Sequence, residues 1–130
     1  MLGTSELKTS FHELKKLGFG NHIVLKLGAQ GAVMVEPTNG TVIEVPALPL
    51  RELGLNVINT VGCGDVFAGV FAAYHVVGAN LRESLIMASA AAGLNATRPE
   101  TRGSPERAKL EEVVNRSRNS GFVLRERKLL

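Results

Sequence analysis

A glycine-rich turn runs directly into an apolar segment at residues 59–71, which read NTVGCGDVFAGVF. Gly62 and Gly64 permit backbone conformations that other residues avoid. The helix predicted to follow would present unpaired N–H groups and a partial positive charge at its N-terminus, which suits an anion. Asp65 stands at that point and could accept the proton of an alcohol beside a bound phosphate, while the N–H groups of residues 62–65 stabilise developing charge. The alternative is an ordinary Gly-x-Gly turn with Asp65 as a capping residue, because short glycine motifs match often by chance.

Short β-branched segments precede the turn and predict strands. These segments are HIVLKL (22–27), AVMVE (32–36) and TVIEV (41–45). The first segment predicts a buried strand. Asn39-Gly40, between the second and third segments, is the strongest local turn signal in the chain and is typical of a hairpin. Pro46 and Pro49 make the next segment irregular. Residues 56–59 then fit either a short strand or an extended lead-in to the turn.

Apolar residues at helical spacing predict four helices. The predicted helices cover residues 5–18, residues 65–77 up to Gly78, an alanine-rich segment after Asn80, and a segment capped by Ser104 with Pro105 at its first position. Asn80 with Glu83 forms a capping-box pattern, and the segment after it is apolar on nearly all sides and must be buried. The order of elements indicates an α/β fold in which short strands and a hairpin are followed by a run of three helices.

Composition narrows the function classes. A chain of 130 residues, 45% of them hydrophobic, fits one domain with a real core. The absence of Trp and a single Tyr leave little surface for stacking nucleic-acid bases, and a single cysteine excludes an internal disulfide. Three scattered histidines give no ligand spacing, so no protein metal site is predicted. We find neither a membrane-length apolar run nor a signal pattern in the sequence, and we expect a cytoplasmic protein.

The net charge of +3 comes from the C-terminal end of the chain. Residues 116–130 hold five basic side chains against Glu126, whereas residues 1–115 hold ten basic and eleven acidic ones. We therefore divide the chain into a domain at residues 1–118 and a basic tail at residues 119–130. The tail could bind nucleic acid or an acidic partner, but we favour a solvated terminus because no aromatic residues are interleaved with its charges.

The segment NTVGCGDVFAGVF resembles the C-terminal signature of the ribokinase-like (PfkB) carbohydrate kinases, D-T-x-G-A-G-D-x-F-x-x-G. The residues that match or nearly match are Thr60, Gly62, Gly64, Asp65, Phe67 and Gly69. Upstream, HIVLKLGAQGAVMV resembles the family's strand–Gly-x-x-Gly–strand segment. Downstream, ASAAAGLNATRPETRGSP resembles its nucleotide-side helix and the loop after it. The resemblance spans residues 5–115 and implies the C-terminal part of a three-layer α/β/α domain.

The resemblance also implies roles for individual residues. Asp65 would be the catalytic base for a sugar hydroxyl, and Gly62, Cys63 and Gly64 would form the anion hole for the γ-phosphate of ATP. The implied nucleotide-binding residues are Lys26, Gly28, Gly31, Ala88, Ser89 and Ala92, the last three walling the adenine pocket. Magnesium would be held by phosphates and water. The same residues also fit simpler structural roles: a plain hairpin turn for the two glycines, core packing for the alanines, and a solvent-facing position for Lys26.

Two residues depart from the family pattern. Asn59 stands where many members have Asp, which favours a phosphorylated sugar as the substrate and puts a monovalent-cation site in doubt. Cys63 stands where Ala or Ser is usual, and it is small enough to fit. The acceptor itself stays open among a hexose, a sugar acid, a sugar phosphate and a nucleoside.

The chain is also shorter than the family's members, which run to roughly twice its size. We therefore expect a C-terminal fragment, truncated product or subunit that lacks sugar kinase activity alone, binds nucleotide weakly, and self-associates or pairs with a missing N-terminal half. Alternatives are a non-catalytic nucleotide-binding or assembly module and, less favoured, a nucleic-acid binder acting through the basic tail. A Rossmann-type dinucleotide binder fits poorly because the glycine spacing of LGAQGAVMV is wrong.

Overall fold

A computed structural model describes residues 22–36, 39–98 and 106–128 of the chain. The helix predicted at residues 5–18 lies outside the described residues. The described part contains a four-stranded sheet and three helices. This arrangement agrees with the predicted α/β class, in which a hairpin is followed by a run of three helices.

The sheet is antiparallel throughout and its strands lie in chain order. The strands are β1 (Ile23–Lys26), β2 (Ala32–Glu36), β3 (Thr41–Val45) and β4 (Arg125–Lys128). The predicted turn between β2 and β3 is confirmed: Gly40 has φ +72° and its N–H donates to Glu36 O at 3.0 Å. The side chain of Asn39 accepts a hydrogen bond from Thr41 N at 3.0 Å, as turn asparagines commonly do.

Strand β1 lies at one edge of the described sheet and pairs with β2 alone. Its first two residues are half-buried, whereas Leu25 and Lys26 are exposed. The prediction of a buried strand at residues 22–27 was therefore wrong for this chain. The β-branched run correctly indicated a strand, but residue types alone do not show how many neighbours a strand has.

Three helices follow the β-hairpin. They are α1 (Cys63–Val76), α2 (Leu81–Asn95) and α3 (Arg107–Ser117). The predicted cap of α2 is confirmed, because Asn80 Oδ1 accepts a hydrogen bond from Glu83 N at 2.8 Å. Helix α1 begins two residues before Asp65, and residues 56–59 form a lead-in to the turn that is not a strand. Helix α3 has Glu106 at its N-cap, while Ser104 and Pro105 lie outside the described residues.

The main core lies between one face of the sheet and the helices. Helix α2 is central to it, with residues 84–91 all buried, as its apolar surface predicted. Alternation along the strands places Ala32 and Met34 on this face. Val33, Val35 and Val42 form a separate small cluster on the opposite face. The two faces of the sheet therefore contact different clusters. The position of a β1 residue in the alternation decides which face its side chain lies on.

The C-terminal residues belong to the fold, which corrects the predicted division at residue 118 and the solvated terminus. Phe122 is fully buried in the main core, and Arg125–Lys128 is a strand paired with β3. Arg127 lies 2.7 Å from Glu44 on β3, and Glu126 lies 2.7 Å from Arg82 on α2. The charge pattern suggested a free tail because the acidic partners of these residues are distant in sequence.

Candidate functional site

A cleft of about 570 Å³ opens between the sheet, the N-terminus of α1 and one side of α2. Its walls are mostly apolar. The residues that line it are Lys26, Gly28, Gly31, Ala47, Leu48, Leu50, Val57, Thr60, Cys63, Gly64, Phe67, Ser89, Ala92, Gly93 and Ala96. Eight of these were predicted as site residues, so the structure brings together three sequence segments that were selected separately.

The connection between β1 and β2 forms one wall of the cleft. Residues Gly28–Gln30 form a short 3-10 turn, and Gly28 and Gly31 have φ +59° and +96°. A Cβ at Gly31 would collide with the backbone of Val45 and Pro46. Gly31 is therefore required by a close backbone approach as well as by its positive φ. The alternative of a plain hairpin turn accounts for the conformation of the two glycines but not for their place in the cleft.

Lys26 lies at the mouth of the cleft. It pairs with Ala32, so it is on the helix-facing side of the sheet, and its Nζ lies 3.4 Å from Gly64 O. Lys26 is exposed, yet it reaches across 38 residues of sequence to the glycine turn. Among the described residues that line the cleft, Lys26 is the one with a charged side chain. An anion in the cleft would therefore be attracted towards the turn.

The glycine turn has the geometry of an open helix N-terminus. Gly62 is the N-cap of α1 in the left-handed conformation, with φ +82°, and Val66 N donates to Gly62 O at 3.0 Å. Cys63 N donates to Thr60 O at 3.3 Å. The next N–H groups, those of Gly64 and residue 65, have no acceptor within the helix by virtue of their position. These two donors are among the N–H groups of residues 62–65 that were predicted to stabilise an anion.

Asp65 is the third residue of α1 and is exposed. It lies beside the cleft and is not among the residues that line it, in contrast to Cys63 and Gly64. Asn59 likewise does not line the cleft; its Oδ1 accepts a hydrogen bond from Val61 N at 2.9 Å and shapes the chain before the turn. Thr60 does line it. Most of the predicted anion and nucleotide residues therefore line the cleft, whereas Gly62, Ala88 and the predicted base Asp65 do not.

One side of α2 forms the apolar wall. Ser89 and Ala92, for which an adenine-wall role was predicted, line the cleft, and Ser89 Oγ donates to Pro46 O at 3.2 Å. Ala88 is completely buried in the core and does not line the cleft. This burial agrees with the core-packing alternative for Ala88, and its nucleotide role stays a prediction.

Sequence reasoning missed several residues that line the cleft: Ala47, Leu48, Leu50, Val57, Gly93 on α2, and Ala96 directly after that helix. The prolines in 46–49 indicated only an irregular segment. Gly93 carried a usable signal, because a glycine inside a helix costs about 1 kcal/mol and requires a packing reason. That reason is Leu48, whose Cβ would lie 2.7 Å from a Cβ at position 93.

Two further observations bear on the predicted partners. Within residues 22–36, 39–98 and 106–128, we find no group of three or more His, Cys, Asp or Glu side chains that could hold a metal ion. None of the helices described in this part of the chain is long and apolar enough to cross a membrane.

The chain belongs to the pfkB family of carbohydrate kinases, whose model matches residues 3–108. This result confirms the resemblance carried by the glycine turn and the two flanking segments. A comparison with curated proteins found no match.

Solved structures similar to this chain include ribokinases. The ribokinase of Thermotoga maritima shares 26% identity with a TM-score of 0.68 over 82% of this chain and 34% of its own. Arabidopsis thaliana ribokinase, solved with ribose and ATP, shares 26% identity with a TM-score of 0.70 over 82% of this chain and 33% of its own. Cryptococcus neoformans ribokinase, solved with ADP, shares 31% identity with a TM-score of 0.61 over 73% of this chain and 28% of its own. The chain thus spans about a third of the length of the ribokinases it matches.

Proposed function

We propose that this chain carries the phosphoryl-transfer and nucleotide side of an ATP-dependent kinase for a sugar or sugar-phosphate hydroxyl. The observation that carries the proposal is the open N-terminus of α1. Gly62 in the left-handed conformation starts the helix beside the cleft, and Asp65 is exposed on its first turn. This combination supplies both an anion site and a base at one place.

The cleft suits a nucleotide in its size and in the distribution of its polar groups. Its apolar walls, made by α2 and residues 47–50, would hold the base, with Ser89 and Ala92 against it. Lys26 and the glycine turn would hold the phosphates at the other side, with Gly28 and Gly31 along the nucleotide. The Arabidopsis and Cryptococcus neighbours were solved with ATP and with ADP, which supports a nucleotide as the ligand. Magnesium would enter with the phosphates and supply charge neutralisation there.

The residues of the turn would divide the work of phosphoryl transfer. Asp65 would accept the proton of the acceptor hydroxyl as that oxygen attacks the γ-phosphorus. The N–H groups of Gly64 and Asp65 would donate to the oxygens of the transferred group, whose negative charge the helix N-terminus also stabilises. Lys26 Nζ, already 3.4 Å from Gly64 O, would neutralise charge beside them. The bond from the γ-phosphorus to the β-phosphate oxygen breaks, so the products are the phosphorylated acceptor and ADP.

The acceptor side is not contained in the described cleft. Asn59, where many family members have Asp, favours a phosphorylated sugar over a free one and argues against a potassium site of the usual kind. The Arabidopsis neighbour was solved with ribose, which keeps a free pentose in view. Because the chain spans about a third of its relatives, we expect the acceptor residues to come from another polypeptide segment.

Exposed apolar residues lie next to the cleft. Val57, Ile58 and Val61 are between 60% and 67% exposed, and Val57 also lines the cleft. A patch of this kind is usually covered by protein. We propose that the remaining part of a kinase fold covers this patch, or that a second copy of the chain covers it where that part is absent. We also propose that the isolated chain does not phosphorylate sugars.

The test is phosphate transfer from ATP to ribose, fructose and fructose 6-phosphate. It is measured for the 130-residue chain and for the longest translated product that contains it, with ATP binding followed by calorimetry. In the form that transfers phosphate, Asp65→Asn should lower kcat about 10²- to 10⁴-fold without weakening ATP binding. Glu83→Gln is the matched control, because Glu83 is an exposed carboxylate at the same position of α2.

A second candidate function is a nucleotide-binding module without catalysis, favoured by the short span of the chain relative to its relatives. It predicts ATP binding with no transfer in either form and no effect of Asp65→Asn. Sugar turnover by the 130-residue chain alone would refute the proposal that its site is incomplete. Failure of every form to bind ATP would refute both functions.

A further inference from the structure

The C-terminal end of α2 is joined to the chain that leads into the glycine turn. Ala96 O accepts two backbone hydrogen bonds, from Ile58 N at 2.7 Å and from Asn59 N at 3.1 Å. Asn95 adds a side-chain connection to the same segment. The helix that forms the apolar wall of the cleft therefore also holds the approach to its proposed phosphate site.

Asn95 makes this connection from a buried position. It is the last residue of α2 and is only 2% exposed. Its Nδ2 lies 3.4 Å from Val61 O and 3.5 Å from Cys63 Sγ, so one amide spans the turn on both sides of Gly62. The orientation of the amide follows from chemistry, because a carbonyl oxygen only accepts hydrogen bonds and must face the NH₂ group.

The other end of the same amide shows that this arrangement has a cost. Asn95 Oδ1 is buried and has no hydrogen-bond partner within the described part of the chain. A buried unpaired acceptor is unfavourable, and asparagine is a poor helix former. An apolar residue would serve the helix and the core better at this position. The contacts with Val61 and Cys63 therefore give a reason for asparagine here that helix formation and core packing do not.

We infer that Asn95 is a positioning residue for the phosphate turn at residues 61–64. The inference rests on the proposed function in that it assumes this turn binds the phosphates of a nucleotide. Through its amide, Asn95 holds the carbonyl of Val61 and the thiol of Cys63, and so fixes the direction in which the first N–H groups of α1 face the cleft. Asn95 does not touch the ligand. It supports binding of the nucleotide's phosphates and does not contribute to binding of the base.

The experiment uses the variants Asn95→Ala and Asn95→Leu in the full chain. Both replacements favour a helix and remove the two amide contacts; alanine leaves space and the larger leucine fills it, so an effect common to both variants comes from the lost amide and not from a cavity or from overpacking. The control is Thr97→Val, which removes the 2.7 Å hydrogen bond from Thr97 Oγ1 to Leu94 O at the same helix end without reaching the turn.

The first measurement is amide hydrogen exchange and needs no ligand. Val61 N and Cys63 N donate to Asn59 Oδ1 and Thr60 O. In the Asn95 variants, exchange at these two amides should accelerate about fivefold or more, as expected when one typical hydrogen bond no longer holds the segment. Exchange within α2 should change by less, and Thr97→Val should leave both turn amides as they are.

The second measurement compares ATP with adenosine by calorimetry. Asn95→Leu should weaken ATP binding about fivefold and leave adenosine binding unchanged, because adenosine lacks the phosphates that the turn would hold. Equal weakening of both ligands, or turn exchange no faster than in Thr97→Val, would overturn the positioning role. If the unmodified chain binds neither ligand, the proposed function fails, and the exchange rates still decide whether Asn95 holds the turn.

Discussion

The variant Gly93→Ala tests whether the close approach of α2 to residues 47–50 shapes the cleft. A Cβ at position 93 would lie 2.7 Å from Leu48 Cβ and 3.3 Å from Leu48 Cδ2. The first distance is shorter than real Cβ contacts, and it involves the base of the leucine side chain, which a rotamer change cannot move. Leu48 is 4% exposed and packs in the main core. Gly93→Ala must therefore displace the loop backbone or α2 itself.

Two effects of opposite sign set the magnitude. Alanine in a helix interior is favoured over glycine by about 1 kcal/mol. Overpacking a well-filled core costs about 1–3 kcal/mol. Because the obstruction at Leu48 is at a Cβ atom and so next to the backbone, we expect the upper part of that range. The net loss in free energy of unfolding should be about 1–2 kcal/mol.

Gly69→Ala is the matched comparison, because Gly69 is also inside a helix but a Cβ there would meet nothing within 4 Å. In urea unfolding, Gly93→Ala should lower the free energy of unfolding, whereas Gly69→Ala should raise it by up to about 1 kcal/mol. Because the closest atom is Leu48 Cβ, which alanine keeps, Gly93→Ala should lose most of its penalty in the double variant with Leu48→Gly and keep much of it in the one with Leu48→Ala. An increase in stability for Gly93→Ala equal to that of Gly69→Ala would refute the reasoning, since it would mean that helix propensity alone decides.

Three further predictions concern other parts of the molecule. Lys26→Ala should weaken ATP binding by roughly fivefold at low salt and by less at high salt, whereas Lys109→Ala, on the exposed side of α3, should leave ATP binding unchanged. Calorimetry at two salt concentrations measures both variants. Equal weakening by the two substitutions would contradict the prediction. Phe122→Ala should lower the free energy of unfolding by about 3–5 kcal/mol in urea, whereas a solvated tail would give no loss. Burial raises the pKa of Tyr74 above its ordinary value of 10.0, and Glu111 adds to this. The folded chain therefore holds the Tyr74 hydroxyl proton more tightly than the unfolded chain does, so stability is retained below about pH 10 and declines above it. Tyr74→Phe should flatten this alkaline decline in the free energy of unfolding. An unchanged pH profile would contradict the raised pKa of Tyr74.

Local chemistry explains what the sequence predicted well. The hairpin at Asn39-Gly40 and the cap at Asn80 depend on hydrogen bonds between residues at most four apart, which residue types specify directly. The glycine turn belongs to the same class, since Gly62 must adopt a positive φ before α1 can begin. Family membership was likewise indicated by three short segments in the right order, and the family match confirmed it.

What the sequence could not predict depends on distant neighbours. Strand β1 looked buried because its residues are apolar, but strand position in a sheet is a property of the whole fold. Strand β4 looked like a free basic tail, because its pairing with β3 joins residues more than 80 positions apart. The family resemblance implied that Ala88 walls the adenine pocket, whereas its burial in the core depends on how α2 docks on the sheet. Each of these differences concerns which face or edge of a strand or helix packs against another part of the fold.

The arrangement of the cleft along the chain bears on what a segment spanning about a third of its relatives' length could bind. All the described residues that line the cleft lie between positions 26 and 96, and they are joined by contacts within that stretch, including those of Ala96 with Ile58 and of Ser89 with Pro46. We therefore expect the proposed nucleotide site to form without the rest of a kinase. The proposed acceptor side differs, because Val57, Ile58 and Val61 are left exposed beside the turn with no described residue over them. Nucleotide binding and sugar phosphorylation should therefore be separable in this chain, with the first surviving where the second is absent.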